Sequence, residues 1–323
     1  MRARRRIPQS GRRVRGIALL LAILLVAIAT ILAAAIGYAS AMSARRAAAT
    51  IAFDEGLLVG QAAEALAAYG LRADLRAGAE YDYPGEAWAK PVGPIEIAPG
   101  VQLEASLEDV SGRFNLNSLV GSDGVTDPES VLIFSRLLQM VGLEPKWAQL
   151  MADWIDTDSE PGFPDGAEDN FYTAQNPPYR TPNELITSSS ELLALPGFGR
   201  DRYLKIAPYV TALPQDAFIN ICSASGYLLD AMIEGRQEFG SDPQRLANER
   251  QSACFPKLTD YVAAFSGDTA GFSKISKRIK MTSQYFRLTS IVSIGTAQFA
   301  LYSLLLRDPS GQVRPIQRSF VAD

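Results

Sequence analysis

The 323-residue chain contains no histidine. That absence removes Ser-His-Asp and Cys-His catalysis, together with the commonest zinc ligand. Only two cysteines occur, Cys222 and Cys254, too few for a disulfide-dense scaffold. In an oxidising compartment they can pair and close a loop of about 30 residues, a stabilisation of a few kcal/mol; otherwise they are two buried thiols. Basic charge is scarce beyond the first turn of the sequence. Seven of the 31 Lys and Arg residues are Arg2, Arg4, Arg5, Arg6, Arg12, Arg13 and Arg15, and the other 24 face 35 acids, leaving −11. A uniformly basic nucleic-acid binder is therefore excluded. No internal repeat is evident.

Charge is also missing from Ile17 to Met42, and Ile17–Ile36 is almost purely Ile, Ala, Leu and Val. A bilayer core of roughly 30 Å needs about 20 apolar residues at ~1.5 Å each, so this stretch can span it. The preceding arginines hold the N-terminus in the cytoplasm, because basic flanks resist translocation. Three processing schemes fit. A secretory signal would be cut near Ala39-Ser40-Ala41, a signal anchor would stay uncut, and a prepilin-type leader would be cut after Gly16. The last rests on Arg15-Gly16-Ile17, where glycine sits at the border between charge and apolar run.

Residues 43–76 are rich in strong helix formers, and Phe53, Leu57, Leu58, Ala62, Ala65, Leu66 and Tyr69 keep one apolar face. Gly70 and Gly78 are read as ending this helix. Residues 81–100, dense in Pro and Gly, read as loop or edge structure. Val101, Leu103, Ala105 and Leu107 alternate as in a half-buried strand. Thr126-Asp127-Pro128-Glu129 is a helix start, as is Asp242-Pro243, whose helix is read as reaching Cys254; Ser188 and Glu191 form a capping box. After about 278 the period returns to two, with a type I turn at Asp308-Pro309-Ser310-Gly311 and an edge strand marked by Pro315. The outline is a leader at 1–16, a transmembrane helix at 17–42 and its continuation at 43–80. A first sheet portion at 81–116, an inserted α-helical block at 117–277 and closing strands at 278–323 follow. The fold class is α+β: a long N-terminal helix and an antiparallel sheet interrupted by a large helical domain.

The densest chemistry is Asp153, Asp156, Asp158, Glu160, Asp165, Glu168 and Asp169, seven carboxylates within 17 residues and no Lys or Arg from Trp147 to Tyr179. Such crowding disfavours a compact loop unless a cation or hydrogen bonds offset it, and Ca²⁺ takes about six to eight oxygen ligands in irregular geometry. An EF-hand does not fit, since Pro161 and Ala167 would stand at its glycine and final glutamate positions. A calcium loop and a merely solvated acidic loop are equally compatible with the residues. Paired glycosidase carboxylates have the right residue types but no sugar-binding aromatic platform around them. Leu195-Pro196-Gly197-Phe198-Gly199 looks like the hairpin of helix-hairpin-helix DNA modules, or a tight turn between packed helices. The nearby acids oppose Arg200, Arg202 and Lys205, which favours the turn. Asn115 and Asn117 fit structural hydrogen bonding at a strand exit.

Taken in order, these segments resemble the type II secretion system minor pseudopilin K family (general secretion pathway protein K). The resemblance is carried by Arg15-Gly16, Ser111–Asn117 (SGRFNLN), Asp153–Asp158 (DWIDTD) and Gly166-Ala167-Glu168-Asp169 with Tyr172. It continues through Pro178–Leu185 (PYRTPNEL), Glu191-Leu192 before Pro196-Gly197, and Ile219-Asn220-Ile221. It implies cleavage by prepilin peptidase between Gly16 and Ile17, N-methylation of Ile17, and a pilin-like sheet. It further implies a non-enzymatic place at the pseudopilus tip beside minor pseudopilins I and J, on the inner-membrane platform of the system, with the C-terminal domain periplasmic and calcium in the acidic loop. Leu21 stands where most pilins carry the Glu at mature position five, an absence shared by K subunits. Asn220-Ile221-Cys222-Ser223-Ala224 departs from the usual Asn-x-Asn-Thr-Ala, so the cysteines fit a subgroup's addition. A membrane-tethered DNA-binding module and a periplasmic hydrolase on a signal anchor are the competing classes.

Overall fold

The structure, a computed structural model, describes residues 15–321; the arginine-rich leader before Arg15 lies outside the described residues. Helix α1 (Arg15–Arg76) runs unbroken through the apolar stretch and onward. Its segment from Ile17 is long and apolar enough to cross a membrane. The helix passes through Gly70 and ends where Gly78 adopts φ 87°. The chain divides into two compact units, Met1–Glu55 and Gly56–Asp323.

Within the second unit, strands β1 (Val92–Ala98) and β2 (Val101–Asp109) form a hairpin. The edge structure read for residues 81–100 is β1, whose proline is tolerated because it is an edge strand with all its residues exposed. Two short parallel pairs follow in the helical block, β3 (Phe114–Asn115) with β4 (Val210–Thr211) and β5 (Ile219–Asn220) with β6 (Ile279–Lys280). Strands β7 (Tyr285–Ile294), β8 (Ala297–Arg307) and β9 (Val313–Ser319) then complete an antiparallel sheet in the order β1-β2-β7-β8-β9. The mixed α+β class is the one read from the sequence. β9, with Pro315, is the other edge.

The face of α1 that packs on this sheet differs from the stripe of large apolar residues. Leu66 and Tyr69 are 54% and 63% exposed, whereas Ala63, Ala68 and Leu71 are buried. A Cβ on Gly56 would sit 2.9 Å from Phe299, and one on Gly60 would sit 2.9 Å from Leu301. These glycines let the helix backbone lie directly on β8, which a larger side chain would prevent. The core beneath joins Leu71 to Leu103, Leu107, Phe286, Leu288 and Leu305.

Between β2 and β7 the block contains α2 (Pro128–Met140), α3 (Lys146–Ile155), α4 (Asp169–Tyr172), α5 (Gly199–Ile206) and α6 (Gly226–Ala231). It ends with α7 (Pro243–Glu249), α8 (Leu258–Ala264) and α9 (Thr269–Ser276). Asp127 caps α2 and Asp242 caps α7 through their carboxylates, as the sequence signals require. α7 stops at Glu249, short of Cys254, because Arg250 turns inward to bind the carbonyls of Ile221, Ala224 and Phe255. The Ser188–Glu191 segment is a 3-10 turn, Ser189–Ala194. Its Glu191 carboxylate accepts from Thr187 N at 3.1 Å, one residue earlier than a capping box requires. The block has its own core, including Phe114 stacked on Phe134 at 5.1 Å and the Trp147–Phe198 edge contact.

Candidate metal centre

The acidic loop hangs from the end of α3. Asp153, in the last turn of that helix, is fully buried. Its Oδ1 accepts from Gln149 Nε2 at 2.7 Å, and its Oδ2 accepts from Gly162 N at 2.9 Å and Ala167 N at 2.8 Å. Burial, the largest effect, and the Asp158 charge raise its pKa against these hydrogen bonds. Asp153 thus anchors the loop by accepting from the loop's backbone N–H groups. The loop closes on itself through Gly166 N to Gly162 O at 2.7 Å. A Cβ on Gly166 would come within 2.2 Å of Asp153 Oδ2, so the backbone passes the carboxylate only as glycine.

Asp156, Asp158 and Glu168 converge, each offering an oxygen within 4.8 Å of the others. Asp156 Oδ2 accepts from Thr126 Oγ1 at 2.8 Å, and Glu168 Oε2 accepts from Thr181 Oγ1 at 3.3 Å. Asp158 Oδ1 accepts from Glu160 N at 2.8 Å. The second oxygens, Asp156 Oδ1 and Glu168 Oε1, are buried without a hydrogen-bond partner, and so is Asn183 Oδ1. Asn183 is tied to the same place, since its Nδ2 donates to Asp158 O at 2.7 Å, with φ 48° at its own backbone. Burial pushes Asp156 up to about 6, with Asp158 and Asp153 repelling it. Burial and the charges of Asp153 and Asp156 push Glu168 up to about 7. Behind them Tyr172, whose hydroxyl is also buried and unpartnered, packs on Trp154 and Tyr179.

Buried oxygens without donors are costly, by about 1–3 kcal/mol each. A hard divalent cation satisfies several at once, and carboxylates with one amide oxygen form the donor set suited to Ca²⁺. The remaining acids divide differently. Glu160 and Asp165 are exposed and outside this group. Asp169 pairs with Arg180 at 3.2 Å and accepts from Thr181. Asn183 was missed as a candidate because it is uncharged and lies outside the acidic run; its link to Asp158 and those of the Thr126 and Thr181 hydroxyls to the acids become visible only when the loop is folded.

The other singled-out segments are built into the frame. Asn117 Nδ2 donates to Ile186 O and Leu213 O, each at 2.9 Å, and its Oδ1 accepts from Ile186 N at 2.9 Å. Asn115 Oδ1 accepts from Leu213 N at 2.9 Å. In the Gly197 turn, Arg202 donates to the Gly197 and Phe198 carbonyls at 2.9 and 3.0 Å, so this cation serves the turn itself. Cys222 and Cys254 are joined by a disulfide. Beside it Asn220 donates to Asp82 O, Asp109 Oδ2 and Ser283 Oγ, linking the helical block to both halves of the sheet.

Comparison with known proteins decides the family. A family model described as type II secretion system, protein K, matches residues 112–215. Type II secretion system protein K of Pseudomonas aeruginosa is 34% identical over 315 residues, covering 94% of this chain and 92% of that protein. The chain belongs to the type II secretion system protein K family. The Klebsiella pneumoniae protein K is 29% identical over 303 residues, 91% of this chain and 92% of its own length. A chain in the crystal structure of the GspK-GspI-GspJ complex of the enterotoxigenic Escherichia coli type 2 secretion system shares the fold. Its TM-score is 0.73 at 22% identity, covering 86% of this chain and all of that one. Protein K is a structural pseudopilin component of a secretion system and not an enzyme.

Proposed function

We propose that this chain crowns the type II secretion pseudopilus, initiating or capping the filament that drives folded proteins across the outer membrane. The helical block inserted between β2 and β7 carries the reading. A repeating filament subunit must offer compatible faces above and below, and a block of this bulk on one face stops further stacking. Leu21 supports the same place. A Glu there would pair with the α-amine of a neighbouring subunit in an apolar filament core, where an unpaired charge is expensive. A terminal subunit has no such neighbour.

In this reading prepilin peptidase cuts between Gly16 and Ile17, Ile17 is N-methylated, and the helix stays in the inner membrane with the folded unit in the periplasm. Minor pseudopilins I and J are the partners, as in the related complex, and the inner-membrane platform holds the assembly. Calcium would be held by Asp156, Asp158 and Glu168 with the Asn183 amide oxygen, supported by the three unpartnered buried oxygens. The ion would neutralise the repulsion and fix the loop. N-terminal mass analysis of the native protein tests the reading: a chain starting at N-methyl-Ile17 is expected. A start near Met42, or failure to co-purify with I and J, would remove it.

A further inference from the structure

The helical block and the sheet keep separate apolar cores. That of the block draws on residues from Phe114 to Ile279, and that of the sheet joins Leu71 to Phe286 and Leu305. Where block and sheet meet, Val110, Leu213 and Tyr285 make a small buried cluster of their own. Tyr81 and Tyr83, partly buried, lean on the block from the segment before β1. The centre of the junction is polar instead. Asp82, Asp109, Asn220, Ser283 and Arg307 are all buried there.

This polar layer is built in two halves. On the sheet side Asp82 Oδ2 accepts from Ser283 N at 2.7 Å and from Arg307, which also donates to Ser283 O at 2.7 Å. Asp109 accepts there from Ser283 Oγ and, at 2.8 Å, from Ser111 N. On the block side Asn220 Oδ1 accepts from Cys222 N at 2.9 Å, and Arg250 holds the Ile221 and Ala224 carbonyls at 2.8 and 2.7 Å. The disulfide to Cys254 ties the same segment into the block. The bonds that join the halves come from two side chains of the block. Asn220 donates to Asp82 O, Asp109 Oδ2 and Ser283 Oγ, and Ser223 Oγ donates to Asp109 Oδ2.

We infer that Asn220 and Ser223 form a latch, which holds the helical block on the sheet in one orientation and from which the block can part as a folded unit. Separation strands no buried charge, because Asp82 keeps Arg307 and Asp109 keeps Ser111 and Ser283. Water replaces the crossing bonds, whereas an apolar junction would lose its burial outright. A block docked in a shifted position would instead bury the Asn220 amide without partners, which is costly, so the closed state is a single arrangement. The chain crosses between sheet and block at residues 110–113 and 281–284, and these crossings are the hinge. Tyr285 N donates to Ser111 Oγ at 3.2 Å and keeps the two crossings side by side. Asn220 is thus a positioning residue for the block.

The test uses the full-length chain in detergent with spin labels on cysteines placed at Arg200 of the block and Gln298 of β8, both exposed. The native cysteines are bonded to each other and take no label. Pulsed electron resonance should give one narrow distance in the otherwise wild-type chain. Asn220→Ala should add a longer distance and raise its share at least tenfold, while hydrogen exchange in α2, α3 and β7 stays within twofold of wild type. Ser223→Ala should do the same to a smaller extent. Ser118→Ala, which removes a bond inside the block, should leave the distance unchanged. An unchanged distance in both Asn220→Ala and Ser223→Ala overturns the latch. So does broadening in Ser118→Ala equal to theirs, which would be general loosening. If Asn220→Ala fails to fold, Ser223→Ala decides alone: a longer distance with α2 and α3 still protected upholds the latch, and exchange that accelerates throughout the block overturns it.

Discussion

Arg318 of β9 grips Glu64 of α1 with two parallel hydrogen bonds, Nε to Oε1 at 2.8 Å and Nη2 to Oε2 at 2.7 Å. Ser303 of β8 adds a third at 2.6 Å. Glu64 is buried and Arg318 is 44% exposed, so the carboxylate depends on this pair more than the guanidinium does.

Arg318→Ala should therefore destabilise by about 1–3 kcal/mol, the cost of leaving a buried acceptor poorly satisfied, discounted for solvent access. Burial alone would raise the Glu64 pKa, but the Arg318 and Ser303 hydrogen bonds with the Arg318 charge outweigh it and leave it below 4.5. The pair's contribution is then full above that usual value and is lost as pH falls through the folded pKa. Denaturant melts of wild type and Glu64→Gln should differ at pH 7 and converge in acid. A constant gap down to pH 2 would contradict the pairing.

Asn117→Ala removes three buried hydrogen bonds, two given to and one taken from backbone. The stranded carbonyls of Ile186 and Leu213 and the Ile186 N–H should cost about 3–5 kcal/mol together. Chemical denaturation of Asn117→Ala against Ser118→Ala, whose hydroxyl makes a single bond at 2.6 Å, checks this. Similar losses for the two would sink it.

The Cys222–Cys254 bond closes a segment of sequence separation 32. Chain entropy for such a loop gives about 3–4 kcal/mol. The double Cys→Ser variant should melt lower, and reductant should lower the wild-type midpoint while leaving the variant unchanged. Cys222 lies two residues from Asn220, so proteolysis should begin at the junction of the helical block with the sheet.

Calcium at 100 times its dissociation constant should stabilise the chain by about 2.7 kcal/mol. Asp156→Asn and Glu168→Gln should abolish that increment, and Asn183→Ala should reduce it. Asp165→Asn, at an exposed position outside the cluster, should not. Differential scanning calorimetry with calcium and with chelator reads the effect. An equal midpoint in both would remove the ion from the account.

Much of this molecule was legible along the chain because its causes are local. Twenty-six uncharged residues from Ile17 to Met42 determine a helix long and apolar enough to span a bilayer. Asp127-Pro128 and Asp242-Pro243 determine helix starts by supplying an acceptor to free N–H groups. Alternation in Tyr285–Ile294 and Ala297–Arg307 determines a half-buried sheet. The order of short segments from Ser111 to Ile221 was enough to point to the family.

What the sequence left open depends on who meets whom. Seven acids looked alike, and tertiary structure separated them: Asp153 saturated by its own loop, Asp169 paired with Arg180, and Asp156, Asp158 and Glu168 left facing one another. Asn183, 14 residues beyond Asp169, is tied to the Asp158 carbonyl only once the loop is folded. Likewise the buried side of α1 followed its glycines and alanines instead of Leu66 and Tyr69. Burial is decided by the surface that arrives opposite, and β8 required closeness more than it required bulk.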